Sequence, residues 1–282
     1  MATPWTEELV YTATEDNIQL AGVVISPAED ITPQATIVWI HGNAASFHDR
    51  PYVLIGRELA RLGYAVVLGN TRGHDIATTL WKADDHSPMA GGGGSGWERM
   101  DEAPRDLAAW VEFAAARASG PVLLAGHSKG AQKVLLYAAE RPAPHLSGVA
   151  LISPDLHGLR IPEDLEAARA LLAEGRGTEV VPAQLWAPWY RQSAQTVVSH
   201  TELADRLLSA DSGTPIMASI RVPIFATFGE DERNVAAELA TIREKATAAP
   251  HVTTEIVTGA DHFYRQREAD VARAIARWAS AL

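Results

Sequence analysis

Three groups in this chain are of the right type to attack a carbonyl together: a serine, a carboxylate and a histidine, in that order along the sequence. Ser128 stands in Gly126-His127-Ser128-Lys129-Gly130. An apolar run, Val122 to Ala125, leads into this pentad, and Ala131, Val134, Leu135, Ala138 and Ala139 follow at helical spacing. The local pattern is strand, sharp turn, helix, with the serine at the apex. A serine hydroxyl is a weak nucleophile until a base takes its proton. A tight turn presents it to a base on one side and to backbone amides on the other. Glycines two residues before and after the serine let strand and helix approach where side chains would collide.

The best base among the ten histidines is His262, in a polar loop after an apolar run near the C-terminus. An imidazole can accept the serine proton and return it to a leaving group. Its ring needs an orienting carboxylate, and Glu230, Asp231 and Glu232 crowd the loop after Phe228. Spacing favours Glu232, three residues after Gly229. Asp231 and Asp155 stand as alternatives. Glutamate serves this role as well as aspartate. A developing oxyanion needs N–H donors. The Lys129 backbone N–H follows the serine directly, and Asn43 or Ala44 in the loop after Ile40 supplies the second. The Lys129 side chain is expected to reach solvent. His41 is expected to brace the loop it begins, and the His127 side chain to point away from the serine.

These groups need a scaffold. Residues 7–13 and 18–26 read as an edge hairpin. Parallel strands are expected at 36–40, 64–68, 122–125, 148–152, 222–228 and 252–257, because runs apolar on both faces suit a sheet covered by helices. Helices are expected at 51–62, 101–118, from after Ser128 to about 140, at 162–174, 201–208, 235–247 and 267–280. The fold class is therefore α/β: a mostly parallel sheet of about eight strands with helices on both faces. The alternation breaks over residues 155–214, which read as a short cap insertion between a first core part, 1–154, and a second, 215–282. Its aromatic stretch, Pro182 to Tyr190, contacts the core or lines a substrate pocket. Gly91 to Gly96 lacks the context of a phosphate or dinucleotide loop and reads as a mobile surface loop bordering the site.

Composition narrows the function. Net charge is −11, so the chain lacks the positive footprint that nucleic acid or an anionic membrane requires. There is no cysteine, hence no disulfide framework, thiolate metal site or cysteine nucleophile. The histidines show no metal-binding spacing, and no metal or organic cofactor is required. The N-terminus lacks the basic and apolar regions of a signal peptide, and no run approaches a membrane span, so a cytoplasmic location is expected.

With His41-Gly42-Asn43, the serine pentad and Asp261-His262-Phe263 in place, the chain resembles the α/β-hydrolase superfamily over roughly residues 18–282. The resemblance implies esterase, lipase, amidase, thioesterase or C–C hydrolase chemistry, with Ser128, Glu232 and His262 at the acting positions and no cofactor. The pentad, Ser193-Ala194-Gln195-Thr196 and the short cap are also similar to siderophore-esterase-like members. The expected function is hydrolysis of a small or medium soluble ester, thioester or amide through an acyl-serine, with a small molecule as partner. An acyltransferase, a lyase or rearrangement catalyst, and a noncatalytic binding protein are the alternatives on the same scaffold.

Overall fold

The computed structural model describes residues 4–141, 144–158, 162–181, 190–209, 211 and 213–282. Eight strands, β1 (Trp5–Ala13), β2 (Gln19–Pro27), β3 (Thr36–Ile40), β4 (Ala65–Gly69), β5 (Val122–His127), β6 (Leu146–Ile152), β7 (Ile224–Gly229) and β8 (Val252–Val257), form one sheet in the order β1-β2-β4-β3-β5-β6-β7-β8. β1 and β2 pair antiparallel, as does β2 with β4; every other pairing is parallel. This is the expected α/β architecture.

The helices are α1 (Arg50–Arg61), α2 (Ala103–Arg117), α3 (Lys129–Glu140), α4 (Pro162–Ala173), α5 (Ala194–Leu208), α6 (Val235–Lys245) and α7 (Glu268–Ala279). They cover both faces, and the strands show why. In β3, Val38 and Ile40 join one apolar core with Leu107 and Trp110 of α2 and Val134 and Leu135 of α3. Ile37 and Trp39 join the other, with Tyr52 and Ile55 of α1 and Val271 and Ile275 of α7. Successive side chains alternate across the sheet, so a strand apolar at every position feeds two cores. None of the described helices is long and apolar enough to cross a membrane.

Three expectations need correction. The helix expected at 201–208 starts at Ala194, with Ser193 Oγ accepting from Thr196 N–H as its cap. Thr196, Val197 and Val198 are β-branched and mask the helical signal, and burial of Val197 and Val198 overrides their propensity. The segment expected to be helical from 101 opens as a 3-10 turn, Met100–Glu102, before α2. Gly93 to Gly96 are not a surface loop. They are buried, with Gly94 N–H donating to Arg72 C=O and Gly96 N–H to Ile76 C=O. Gly94 has φ +94°, and a Cβ there would stand 2.6 Å from Ile76 O, so only glycine fits. Of the aromatic stretch, residues 182–189 lie outside the described residues; Tyr190 is buried.

The loop after β4 is anchored by a buried ion cluster. Arg72 donates from Nε and Nη2 to Asp106 Oδ1 at 3.0 and 2.8 Å, and from Nη1 and Nη2 to Asp16 at 2.9 and 3.0 Å. Asp106 is fully buried. Replacing Arg72 by methionine strands that carboxylate, at a cost of about 3–5 kcal/mol. Urea unfolding will show this as a lowered midpoint; a loss below about 1 kcal/mol would refute the assignment. Burial pushes Asp16 upward, but donors from Arg72 and Thr14 and the Arg72 charge hold it at about 2. Its folded value lies below the unfolded one, so its contribution to stability is complete above about pH 4 and is lost as the pH falls through about 2.

Candidate active site

The turn after β5 places Ser128 at φ 53°, ψ −119°, a left-handed backbone that costs a non-glycine residue free energy and is held by its surroundings. Ser128 N–H donates to Ile152 C=O at 2.9 Å, which ties the turn to the end of β6. A Cβ on Gly126 would stand 2.5 Å from Gly130 O, so the strand and helix meet only because both flanking residues are glycine. The loop after β3 packs against the serine: a Cβ on Gly42 would be 3.3 Å from Ser128 Cβ. The Asn43 and Ala44 N–H groups find no acceptor among the described residues, and the Lys129 N–H lies in the first turn of α3, where no intrahelical acceptor exists. These amides therefore have no backbone acceptor among the described residues, the first two in the loop that packs against Ser128 and the third directly after it.

His262 follows β8. Its Nδ1–H donates to Glu232 Oε2 at 2.6 Å, which leaves Nε2 as the acceptor. Glu232 is the candidate that the structure brings to this ring. Asp231 is exposed, and Asp155 Oδ1 accepts from Gly158 N–H at 2.8 Å. Glu232 sits three residues past Gly229 because the turn closes on itself: Gly229 N–H donates to Glu232 Oε1 at 2.8 Å and Glu232 N–H to Gly229 C=O at 3.2 Å. Ser153 Oγ donates to the same Oε1 at 2.5 Å, and Tyr264 O–H donates to Ser153 Oγ at 2.8 Å. Burial pushes the Glu232 carboxyl up, but the donors from His262, Ser153 and Gly229 outweigh it and hold the group below the usual carboxylate range. Ser128 Oγ has no hydrogen-bond partner among the described residues. Bonds of this kind tighten once substrate is bound.

A second chain of hydrogen bonds couples the two loops beneath the serine. Gly42 N–H donates to Tyr52 OH at 3.1 Å, Tyr52 O–H donates to His127 Nδ1 at 2.8 Å, and His127 Nε2–H donates to the His262 carbonyl at 2.7 Å. The two imidazole rings lie 4.8 Å apart. Burial and the neighbouring His262 lower His127 to about 3, so it stays neutral and keeps one donor and one acceptor. Both His127 ring nitrogens are thus engaged by Tyr52 and the His262 carbonyl, and neither bonds the serine hydroxyl. His41 also acts as a brace: Nε2 accepts from Thr71 N–H at 3.0 Å and Nδ1–H donates to Gly42 C=O at 2.8 Å.

The Lys129 side chain does not reach solvent. It is 8% exposed, and Nζ donates to His200 Nδ1 of α5 at 3.1 Å. α5 packs against α3 and brings His200 over the side chain. Sequence reasoning also missed Ser153, Tyr264 and Tyr52. Each acts across at least 75 residues of chain, beyond any local pattern.

The sheet order, the elbow serine and a carboxylate-held histidine after the last strand define an α/β-hydrolase. The family model described as serine aminopeptidase, S33, matches residues 31–212, and the chain belongs to that family. No curated protein matches its sequence. Among solved structures it is similar to a soluble variant of monoglyceride lipase from Saccharomyces cerevisiae in complex with a substrate analog, with TM-score 0.69 and 15% identity over 99% of this chain and 96% of that one. It is similar also to a highly thermostable carboxyl esterase from Bacillus coagulans in complex with glycerol, with TM-score 0.68 and 16% identity over 98% of each chain. Est1E from Butyrivibrio proteoclasticus with bound ferulic acid gives TM-score 0.65 and 17% identity over 95% of this chain and 97% of that one. At these identities the likeness shows the fold.

Proposed function

We propose that this chain hydrolyses small or medium carboxylic esters through an acyl-serine intermediate. The observation that carries this reading is the 2.6 Å Glu232–His262 bond, which leaves Nε2 of the imidazole as the acceptor. His262 Nε2 takes the Ser128 Oγ proton as Oγ bonds to the carbonyl carbon. The carbonyl π pair moves to oxygen, where the N–H groups of Lys129 and of Asn43 or Ala44 receive the charge. The C–O bond to the alcohol then breaks, and His262 returns the proton to the leaving oxygen. Water, deprotonated by the same nitrogen, releases the acid and restores Ser128. Glu232 holds the tautomer and stabilises the imidazolium. The β6–β7 connection, with α4 and α5, serves as the cap over this site. The ester chemistry of the similar structures supports the choice of substrate class.

A panel of p-nitrophenyl acetate, butyrate and octanoate, with matched thioesters and anilides, tests the reading. Steady turnover of short esters after a burst of one p-nitrophenol per chain is expected. Absence of turnover on all of them, with folded protein, would contradict it. Product appearing only when an alcohol or amine acceptor is added would assign acyl transfer instead.

A further inference from the structure

Three basic groups cluster beside the elbow, and two of them meet one carboxylate. Lys133, 2% exposed, donates to Glu98 Oε2 at 2.6 Å, and His200 Nε2 faces Glu98 Oε1 at 3.3 Å. Lys129, the residue after the serine, has His200 Nδ1 as its one hydrogen-bond partner among the described residues. Among the described residues no carboxylate lies within ion-pair distance of its ammonium, and the remaining residues of the chain include no aspartate or glutamate.

The hydrogen-bond inventory shows the same imbalance. His200 Nδ1 receives both Lys129 Nζ and Gln192 Nε2, the latter at 3.2 Å, so its proton sits on Nε2, toward Glu98. Gln192 spends its amide on that nitrogen and on Tyr190 OH at 3.1 Å. An ammonium has three donors, and a single shared acceptor serves one of them. Burial lowers His200 to about 4, with the Lys129 charge adding to the effect, so the ring is neutral. Within ion-pair distance the cluster sets Lys129 and Lys133 against Glu98 alone, while the Asp155 charge acts on Lys129 from beyond that distance. A buried ion without a counter-charge is costly. The free charge lies one residue from the candidate nucleophile, under α5, at the end of the sheet where strands present their ligands.

We infer that the substrate supplies the missing counter-charge: the chain acts on esters that carry a carboxylate near the scissile carbonyl, and the Lys129 side chain binds that carboxylate. This rests on the ester-hydrolase reading above. Burial, with the Lys133 charge adding to it and the Asp155 and Glu98 charges opposing it, holds the Lys129 ammonium below its ordinary range, and an anion in contact would favour the charged form. Specificity of this kind comes from a site's own unsatisfied polar group, which penalises a substrate that cannot answer it.

The test compares kcat/KM for charged esters with that for neutral counterparts, in wild type, Lys129→Met and Lys129→Arg. Monomethyl glutarate against methyl butyrate places the carboxylate on the acyl side. 4-Acetoxybenzoate against phenyl acetate places it on the alcohol side. In wild type one charged member is expected to exceed its neutral counterpart by at least about tenfold, the discrimination of one charge-assisted hydrogen bond. The ratio should fall to about one or below in Lys129→Met and be partly kept in Lys129→Arg. Wild-type inhibition provides a check that needs no variant: glutarate should compete with phenyl acetate, and dimethylglutaramide should not. Brisk turnover of neutral esters with ratios of one or less on both arms, or no competition by glutarate, overturns the assignment of Lys129 and leaves the hydrolase reading standing. Failure to turn over any ester, together with no fluorophosphonate adduct, removes both.

Discussion

Ser128→Ala will lower kcat on any ester this chain hydrolyses by about 10⁶-fold, the scale of loss when the nucleophile of such an array is removed. The size of the effect follows from the chemistry: without Oγ no acyl-enzyme forms, and what remains is binding and oxyanion stabilisation. The substitution is conservative for the fold. The residue is half-buried, its hydroxyl has no partner among the described residues, and the φ of 53° is as costly for alanine as for serine. The urea midpoint should therefore stay within about 0.5 kcal/mol of wild type. Retention of more than a few percent of kcat would move the chemistry to another residue.

Glu232→Gln will lower kcat by about 10³–10⁴-fold with little change in KM. The carboxylate accepts three donors, from His262, Ser153 and Gly229. An amide of the same shape has one oxygen. If that oxygen keeps Gly229 and Ser153, the NH₂ group faces His262 Nδ1 and drives the imidazole proton to Nε2, the wrong tautomer for a base. If the amide flips, its hydrogens confront two donors. Glu232 is held below the usual carboxylate range, so the charge is present throughout the weakly acid and neutral range, and the loss should show at every pH in it. Asp231→Asn, an exposed neighbour, should stay within about twofold of wild type. Equal losses in the two variants would undo the assignment.

The parts of this site that the sequence exposes are those written locally. The elbow needs two glycines and a serine between an apolar run and a helical period, all within a dozen residues. Glu232 is legible from its offset to Gly229 because the turn closes within four residues. The parts that stay hidden join distant segments. Tyr52 reaches His127 across 75 residues, Ser153 reaches Glu232 across 79, and Lys129 meets His200 across 71. No periodicity carries such information. Lys129 is the instructive case. A lysine after the serine reads as a solvated side chain by type, and only the approach of α5 buries it. The first half of α5 was itself masked by three β-branched residues, so the element that encloses Lys129 and the enclosure were lost together. The buried Gly93–Gly96 segment failed for a related reason: glycine runs signal freedom when alone, and close backbone approach when packed.

The central claim is that the Ser128 hydroxyl is activated by the imidazole of His262. Incubation with a fluorophosphonate, followed by intact mass and peptide mapping, measures this directly. A single adduct on Ser128 is predicted, formed at least a hundredfold more slowly in His262→Ala, in line with the contribution of a general base. A folded protein that takes up no label, or takes it up on another residue at a rate indifferent to His262, would contradict the account.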